Sequence, residues 1–386
     1  MVGFEDLSSD QEEGDVKGSG RSSTAAASPI VTRAHVPAWV NHRLQSGVVI
    51  PAHPLALTPE GAFDEIGQRA MTRYYHAAGA GGFAVAVHTT QFEIRDPRYG
   101  LFEPVLELAA ETVLGLDATT ARQSVLIAGV CGSTKQAVKE ATVARDLGYH
   151  IALLSLSALP EADDDALIAH CRAVADVIPI FGFYLQPAVG GRKLSVDFWR
   201  RLGNLPGLVG VKIAPFDRYK TLDVIRGIAT SQRHREVVLY TGNDDTIVVD
   251  LLTEYQLPVD GETVRLSMVG GLLGHWACWT QKAVELLRTC QQARCENRFS
   301  AELLTLSAQV TDCNAALFDA ENHFAGCIAG IQYVLFRQGL LSSQRCLNPA
   351  ELLSPGQQQA IERVRSSYPH LLDDEFVMQH VDQWRR

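Results

Sequence analysis

The stretch Gly207-Leu-Val-Gly-Val-Lys-Ile-Ala-Pro215 decides how the rest of the chain is read. Leu208, Val209, Val211 and Ile213 are apolar, glycines stand at 207 and 210, and Pro215 closes the run. A short apolar run bounded by Gly and Pro fits a strand buried in a parallel sheet. Lys212 falls in the middle of it. Burying an ammonium without a partner is costly. The lysine therefore reaches water or a carboxylate, or it points into an apolar pocket. In such a pocket desolvation lowers its pKa and frees the amine to attack a ketone.

Outward from this strand the chain alternates strand and helix. Strand-like runs occur at 47–52, 82–87, 124–130, 150–155, 178–184, 236–240 and 264–269. Helical patterns lie between them at 63–78, 102–115, 133–147, 164–177, 195–202, 221–230 and 246–255, with another after Trp276. Ser133 has the character of an N-cap. Eight strands alternating with helices over about 240 residues match a (β/α)8 barrel, an α/β TIM barrel, in count and size. No GxGxxG follows the first strand, which lowers the case for a doubly wound sheet. Beyond 298 the pattern is helical only, with apolar runs near 302–318 and 324–339. The expected organisation is a disordered tail over 1–36, a barrel over 37–297 and a helical C-terminal extension over 298–386. The tail is acidic, then rich in Gly, Ser and Ala, a composition that cannot offset the entropy of ordering.

The 386 residues are 46% hydrophobic and 20% charged, enough for a sizeable core, and the net charge of −10 argues against a nucleic-acid partner. The eight cysteines form no CxxC pair and read as free thiols of a reducing, cytoplasmic setting. No run of 18 apolar residues exists, so no membrane span is expected. The acidic residues near the N-terminus argue against a targeting leader.

In a (β/α)8 barrel the active site lies at the C-terminal ends of the strands. That rule selects His53 and Pro54, then His88, Thr89 and Thr90, then Cys131. It goes on to Tyr184 and Gln186, Lys212, the turn Gly242-Asn243-Asp244, and Ser267 with Gly270 and Gly271. A lysine, a tyrosine and two threonines at one mouth form a coherent set: the amine attacks, the phenol shuttles a proton and a hydroxyl relays it. Each also has a plainer reading, Tyr184 as a core aromatic and the threonines as loop caps. His53, His88 and His275 lack HxH or HxxxH spacing, so no metal site is expected.

These residues, in this order, resemble the dihydrodipicolinate synthase and N-acetylneuraminate lyase family, the Schiff-base (β/α)8 aldolases. Residues 55–64 are similar to its opening segment, and His88-Thr89-Thr90 to its Gly-Thr-Thr-Gly-Glu loop. Phe183-Tyr184-Leu185-Gln186-Pro187 is similar to Tyr-Asn-x-Pro, and Gly210-Val211-Lys212 to Gly-x-Lys. Gly242-Asn243-Asp244 resembles Gly-Asp-Asp, and Leu266-Ser267 the Ile-Ser strand after it. The tyrosine–lysine separation, 212 − 184 = 28, also suits the family.

The resemblance implies an imine between Lys212 and pyruvate or another 2-oxo acid, and a C–C bond made or broken with an aldehyde. Tyr184 would be the acid/base, with Thr90 in the proton relay. Thr89, His53, His88, Gly242, Asn243, Leu266 and Ser267 would surround the substrate. No metal or cofactor is implied, and a homodimer or homotetramer is usual. A dehydratase acting on a sugar acid through the same imine is the alternative, and a barrel that binds a ligand without catalysis is a third reading. The family's glycine and glutamate after the threonines are Gln91 and Phe92 here. Its carboxylate-gripping arginine is replaced by residues 188–191, with Arg192 a few positions late. Its paired tyrosines after the fourth strand are replaced by residues 156–159. These departures make dihydrodipicolinate synthesis itself an unfavoured reading.

Overall fold

The computed structural model describes residues 35–386, so the expected disordered tail lies almost wholly outside the described residues. Seven short strands run parallel: β1 (Val49–Pro51), β2 (Gly82–Val85), β3 (Val125–Val130), β4 (Ile151–Leu154), β5 (Ile180–Leu185), β6 (Leu208–Ala214) and β7 (Val238–Thr241). The eighth barrel strand is the second half of β9 (Glu262–Leu273), paired in parallel with both β7 and β1. The ring closes between β1 and β2 through a bridge from Ala52 to Ala84 and a 2.8 Å bond from the His53 N–H to the Ala84 carbonyl. This is the (β/α)8 barrel expected from the alternation.

An amphipathic helix follows most strands and covers the barrel: α2 (Glu65–Ala78), α3 (Phe102–Thr120), α4 (Thr134–Asp146), α5 (Asp164–Ala175), α6 (Val196–Gly203) and α7 (Arg218–Ala229). Their starts are set by side chains. Asp64, Ser133, Asp163, Ser195 and Asp217 each accept a backbone N–H of the first turn. Side chains alternate along each strand between two packed layers. Ile50, Ala84, Ile127, Leu153, Phe181, Phe183, Val209 and Tyr240 fill the barrel interior. Ile180, Tyr184, Val211 and Ile213 face the helices instead.

Two elements depart from the sequence expectation. Helix α1 (Ala38–Gln45) plugs the N-terminal end of the barrel, with Val40 and Leu44 in the interior cluster and Tyr240 Oη donating to the Leu44 carbonyl at 2.8 Å. The stretch read as the end of one helix and the start of a strand is a β-hairpin. Helix α8 (Ile247–Leu252) stops early, and β8 (Glu254–Val259) pairs antiparallel with the first half of β9. Asp260 and Gly261, at φ 49° and 84°, make the turn. Two positive φ values in a two-residue loop match the twist of the flanking strands.

After α9 (Thr280–Cys295) come α10 (Ala301–Leu317), α11 (Cys327–Arg337), α12 (Gln357–Ser367) and α13 (Asp374–Trp384). They dock on the barrel. The Tyr74 hydroxyl of α2 donates to Asp373 Oδ2 at 2.7 Å and accepts the Thr280 N–H at 2.7 Å, which joins α2, α9 and the start of α13. Among the described residues no helix is long and apolar enough to cross a membrane.

Candidate active site

Lys212 lies on the interior face of β6, only 9% exposed, with Nζ 4.6 Å from the centroid of the Phe183 ring. Phe183 is its register partner on β5, so the two side chains point the same way. Burial lowers the lysine from 10.5 to about 8, with the charge of Asp244 pulling it back up. The side chain has room because residue 242 is glycine: a Cβ there would stand 2.6 Å from Lys212 Cε.

Asp244, 4% exposed, sits just beyond the C-terminal end of β7. Its Oδ1 accepts the His275 N–H at 2.9 Å. Burial pushes its carboxyl up to about 7, opposed by that hydrogen bond and by Lys212. Asn243 builds the turn beneath it, accepting the Phe216 N–H at 3.1 Å and donating to Asp250 Oδ2 at 2.9 Å. Thr241 and Arg218 donate to the same Asp250 at 2.7 and 2.6 Å. Every polar group of Asn243 is thus used in holding the turn.

Lys212 and Asp244 share one cavity of about 60 Å³. At about 10–15 Å³ per water, that is room for a few waters or a compound the size of a small 2-oxo acid. His88, Thr89 and Gln186 add polar atoms, and Leu153, Phe183 and Leu185 form an apolar wall. Burial and the neighbouring lysine lower His88 to about 4, so it is neutral near pH 7. The roof is a contribution of the C-terminal helices that the strand-end rule could not select: Phe318, Phe324 and Cys327. The Phe324 ring stands edge-on to Phe216 at 5.6 Å, and both residues have positive φ, 67° and 51°. Among the lining residues Lys212 is the one cation at neutral pH. A larger groove, of about 1150 Å³, is open, lies beside the hairpin at the opposite end of the barrel, and is lined by none of the expected residues.

Several expected site residues are elsewhere. Tyr184 faces outward, its ring 5.5 Å from Trp199 of α6, because alternation along β5 gives the interior position to Phe183. A displacement of one residue moves a side chain to the other face of a strand. Thr90 is fully buried off the cavity, where its hydroxyl donates to the His53 carbonyl at 2.6 Å and accepts the Val87 N–H at 3.1 Å. Thr89 lines the cavity, yet its hydroxyl donates to the Ala52 carbonyl at 2.8 Å. The two threonines stitch the ends of β1 and β2 together where the barrel closes. His53 points out toward α2, with Nε2 2.9 Å from Thr72 Oγ1 and Nδ1 2.9 Å from the Pro54 carbonyl.

Leu266 and Ser267 lie on the hairpin stem opposite Tyr255 and Glu254, at the far end of the barrel strand. The expected end of that strand was set too early. It ends at Leu273, and Gly274 is the residue that lines the cavity. Arg192 does not enter the cavity either. Its guanidinium donates to the carbonyls of Leu159 and Ala162, clipping two loops together. Gln91, in the place of the family glycine, keeps a positive φ of 68°, and its Oε1 accepts the Leu347 N–H of the C-terminal region at 2.6 Å. No group of three or more metal-binding side chains occurs among the described residues.

Fold and site together define a (β/α)8 barrel with a desolvated lysine in a small cavity at its C-terminal mouth. Residues 106–255 match the dihydrodipicolinate synthetase family model, which bears out the resemblance read from the motifs. The 4-hydroxy-tetrahydrodipicolinate synthase of Protochlamydia amoebophila is 24% identical over 195 residues, 48% of this chain and 59% of that protein. A probable 5-dehydro-4-deoxyglucarate dehydratase of Acinetobacter baumannii is 35% identical over 95 residues, 24% of this chain and 31% of its own length. The chain thus matches less than two thirds of the length of either relative. In fold the likeness is more extensive. The dihydrodipicolinate synthase of Oceanobacillus iheyensis superposes with a TM-score of 0.68 at 17% identity, covering 86% of this chain and 99% of that one.

Proposed function

We propose that the chain is a carbon–carbon lyase of the class I aldolase type, in which Lys212 forms an imine with a small 2-oxo acid. The observation that carries this is the position of the amine, buried against Phe183 in a cavity of about 60 Å³ at the barrel mouth. With its pKa lowered to about 8, a useful fraction of Lys212 is the free amine near neutral pH. The amine adds to the ketone carbon, the oxygen leaves as water, and the resulting iminium draws electrons from C3. Loss of a C3 proton gives an enamine whose C3 attacks an aldehyde carbonyl; the reverse sequence cleaves the bond. Lys212 is the one lining cation, so nothing in the cavity grips a second carboxylate. The aromatic roof suits an aldehyde without charge. The resemblance to the probable dehydratase supports a second reading, elimination of water from a sugar acid through the same imine.

Borohydride reduction in the presence of pyruvate, followed by peptide mass spectrometry, tests the reading. The expected product is a reduced pyruvyl adduct on Lys212, absent from a folded Lys212→Ala protein. A folded wild-type chain that gives no adduct with pyruvate or with a panel of other 2-oxo acids would instead be a non-catalytic binding barrel. Product analysis separates the lyase from the dehydratase.

A further inference from the structure

An imine is useful only if something removes the C3 proton, and the tyrosine expected to do so faces away from the site. Tyr184 packs on Trp199 in the helix layer, and no other tyrosine lines the cavity. The lining groups that could carry a proton come from four elements: His88 and Thr89 after β2, Lys212 on β6, Asp244 after β7 and Cys327 at the start of α11. Gln186, after β5, has no proton to exchange near neutral pH.

Thr89 has its hydroxyl committed to the Ala52 carbonyl. The Cys327 thiol is pushed far up by burial and by the charge of Asp244, so it does not ionise as a base. His88 sits on a short 3-10 turn and is lowered to about 4 by burial and by the charge of Lys212, which makes it a weak base. Asp244 is different in construction. Its backbone is fixed by the Asn243 network and its Oδ1 by the His275 N–H, while Oδ2 makes no hydrogen bond among the described residues. That leaves one rigidly placed carboxylate oxygen free in the cavity that Lys212 also lines.

We propose that Asp244 is the acid–base residue of this site, taking the C3 proton from the Lys212 imine and returning it to the aldehyde oxygen. The proposal rests on the imine reading of Lys212. In the forward step a lone pair of Asp244 Oδ2 accepts the proton. The C–H pair becomes the C2=C3 bond, and the C=N π pair moves onto nitrogen, leaving a neutral enamine and a protonated Asp244. When the enamine carbon bonds to the aldehyde, the carbonyl π pair goes to oxygen, which takes the proton back from Asp244. Burial holds the Asp244 carboxyl up near neutrality, so it can take a proton and give it back. Tyr184 then has a packing role only.

The two events can be read separately in one sample. Pyruvate in deuterium oxide reports C3 proton loss as disappearance of its methyl signal, and borohydride trapping reports the imine. For Asp244→Asn the expected result is an adduct on Lys212 with exchange slower by about a hundredfold or more. Tyr184→Phe should exchange at the wild-type rate. In Asp244→Ala, added formate should restore part of the exchange by supplying a carboxylate in the vacated space. Exchange at the wild-type rate in Asp244→Asn, or its loss in Tyr184→Phe, overturns the assignment of Asp244 alone. A wild-type Lys212 left unmodified by pyruvate and by the panel of other 2-oxo acids overturns the imine reading and this assignment with it.

Discussion

Gly242 and Lys212 are locked together sterically: a Cβ on Gly242 would come within 2.6 Å of Lys212 Cε and 3.0 Å of its Cγ. The same Cβ would meet that of Ala214 at 2.8 Å, so moving the lysine alone would not relieve the clash. Gly242→Ala should therefore displace the amine while leaving the barrel folded. Overpacking of this kind costs about 1–3 kcal/mol of stability. A reacting atom misplaced by about 1 Å costs about a hundredfold in rate. Denaturant melts and the rate of adduct formation should show both effects, and trapping at the wild-type rate would refute the claim that this glycine exists to make room for the lysine.

Adjacent on β5, Phe183 and Tyr184 serve opposite faces, and substitutions should separate them. Tyr184→Ala should cost about 3–5 kcal/mol, the usual range for deleting a buried aromatic, because it empties the space beside Trp199. Imine trapping at a temperature where the variant is folded should be unchanged. Phe183→Ala should do the reverse to the chemistry. It removes the ring beneath Lys212, wets the amine, raises its pKa toward the ordinary lysine value and slows trapping at neutral pH. A Tyr184→Ala protein that is stable but cannot form the adduct would put the tyrosine back in the site.

The barrel was legible because its signals are local: apolar strand runs, N-caps such as Ser133, and helices of regular spacing. Lys212 was legible for the same reason, as a charge inside an apolar strand. What was not legible depended on register. Whether Tyr184 or Phe183 faces inward turns on a single residue of pairing with β6, and both candidates are aromatic. The hairpin had a signal in Asp260-Gly261 flanked by alternating Tyr255, Leu257, Val259 and Val264, Leu266, Met268; reading it would have moved Ser267 off the site. The roof had no signal. Phe318 and Phe324 reach the cavity through tertiary docking of helices that the strand-end rule does not cover.

That roof makes a prediction about substrate size. Phe324 closes the cavity against Phe216, and both hold backbone conformations that cost about 1–3 kcal/mol each outside glycine. Phe324→Ala should open the cavity without touching Lys212 or Asp244. Adduct formation with pyruvate should stay near the wild-type rate. In competition between a small and a bulky neutral aldehyde, the ratio of kcat/KM should shift toward the bulky one by about 10-fold or more, the scale on which a few methylenes of pocket volume discriminate. An unchanged ratio would mean that the aldehyde enters by another side of the mouth.

His53, expected at the substrate and found in the layer between β1 and α2, should reveal itself through stability rather than rate. It is fully buried, and burial lowers it from 6.5 to about 4, with only the Pro54 carbonyl opposing. Above about pH 6.5 the ring is neutral whether the chain is folded or not, so it adds no pH dependence there. As pH falls from about 6.5 to about 4 the unfolded chain takes up the proton and the folded chain does not, so stability drops. A lowering of that size corresponds to about 3 kcal/mol when fully developed. Three other histidines, His88, His150 and His275, are lowered to about 4 by burial and add to the same loss. His53→Asn should therefore be less stable than wild type at pH 7, since it loses bonds to Thr72 and Gln68. It should also lose less stability on going to pH 5. Urea melts at the two pH values give both numbers. If instead imine trapping collapses in His53→Asn while the melts stay parallel, the histidine acts on the substrate after all.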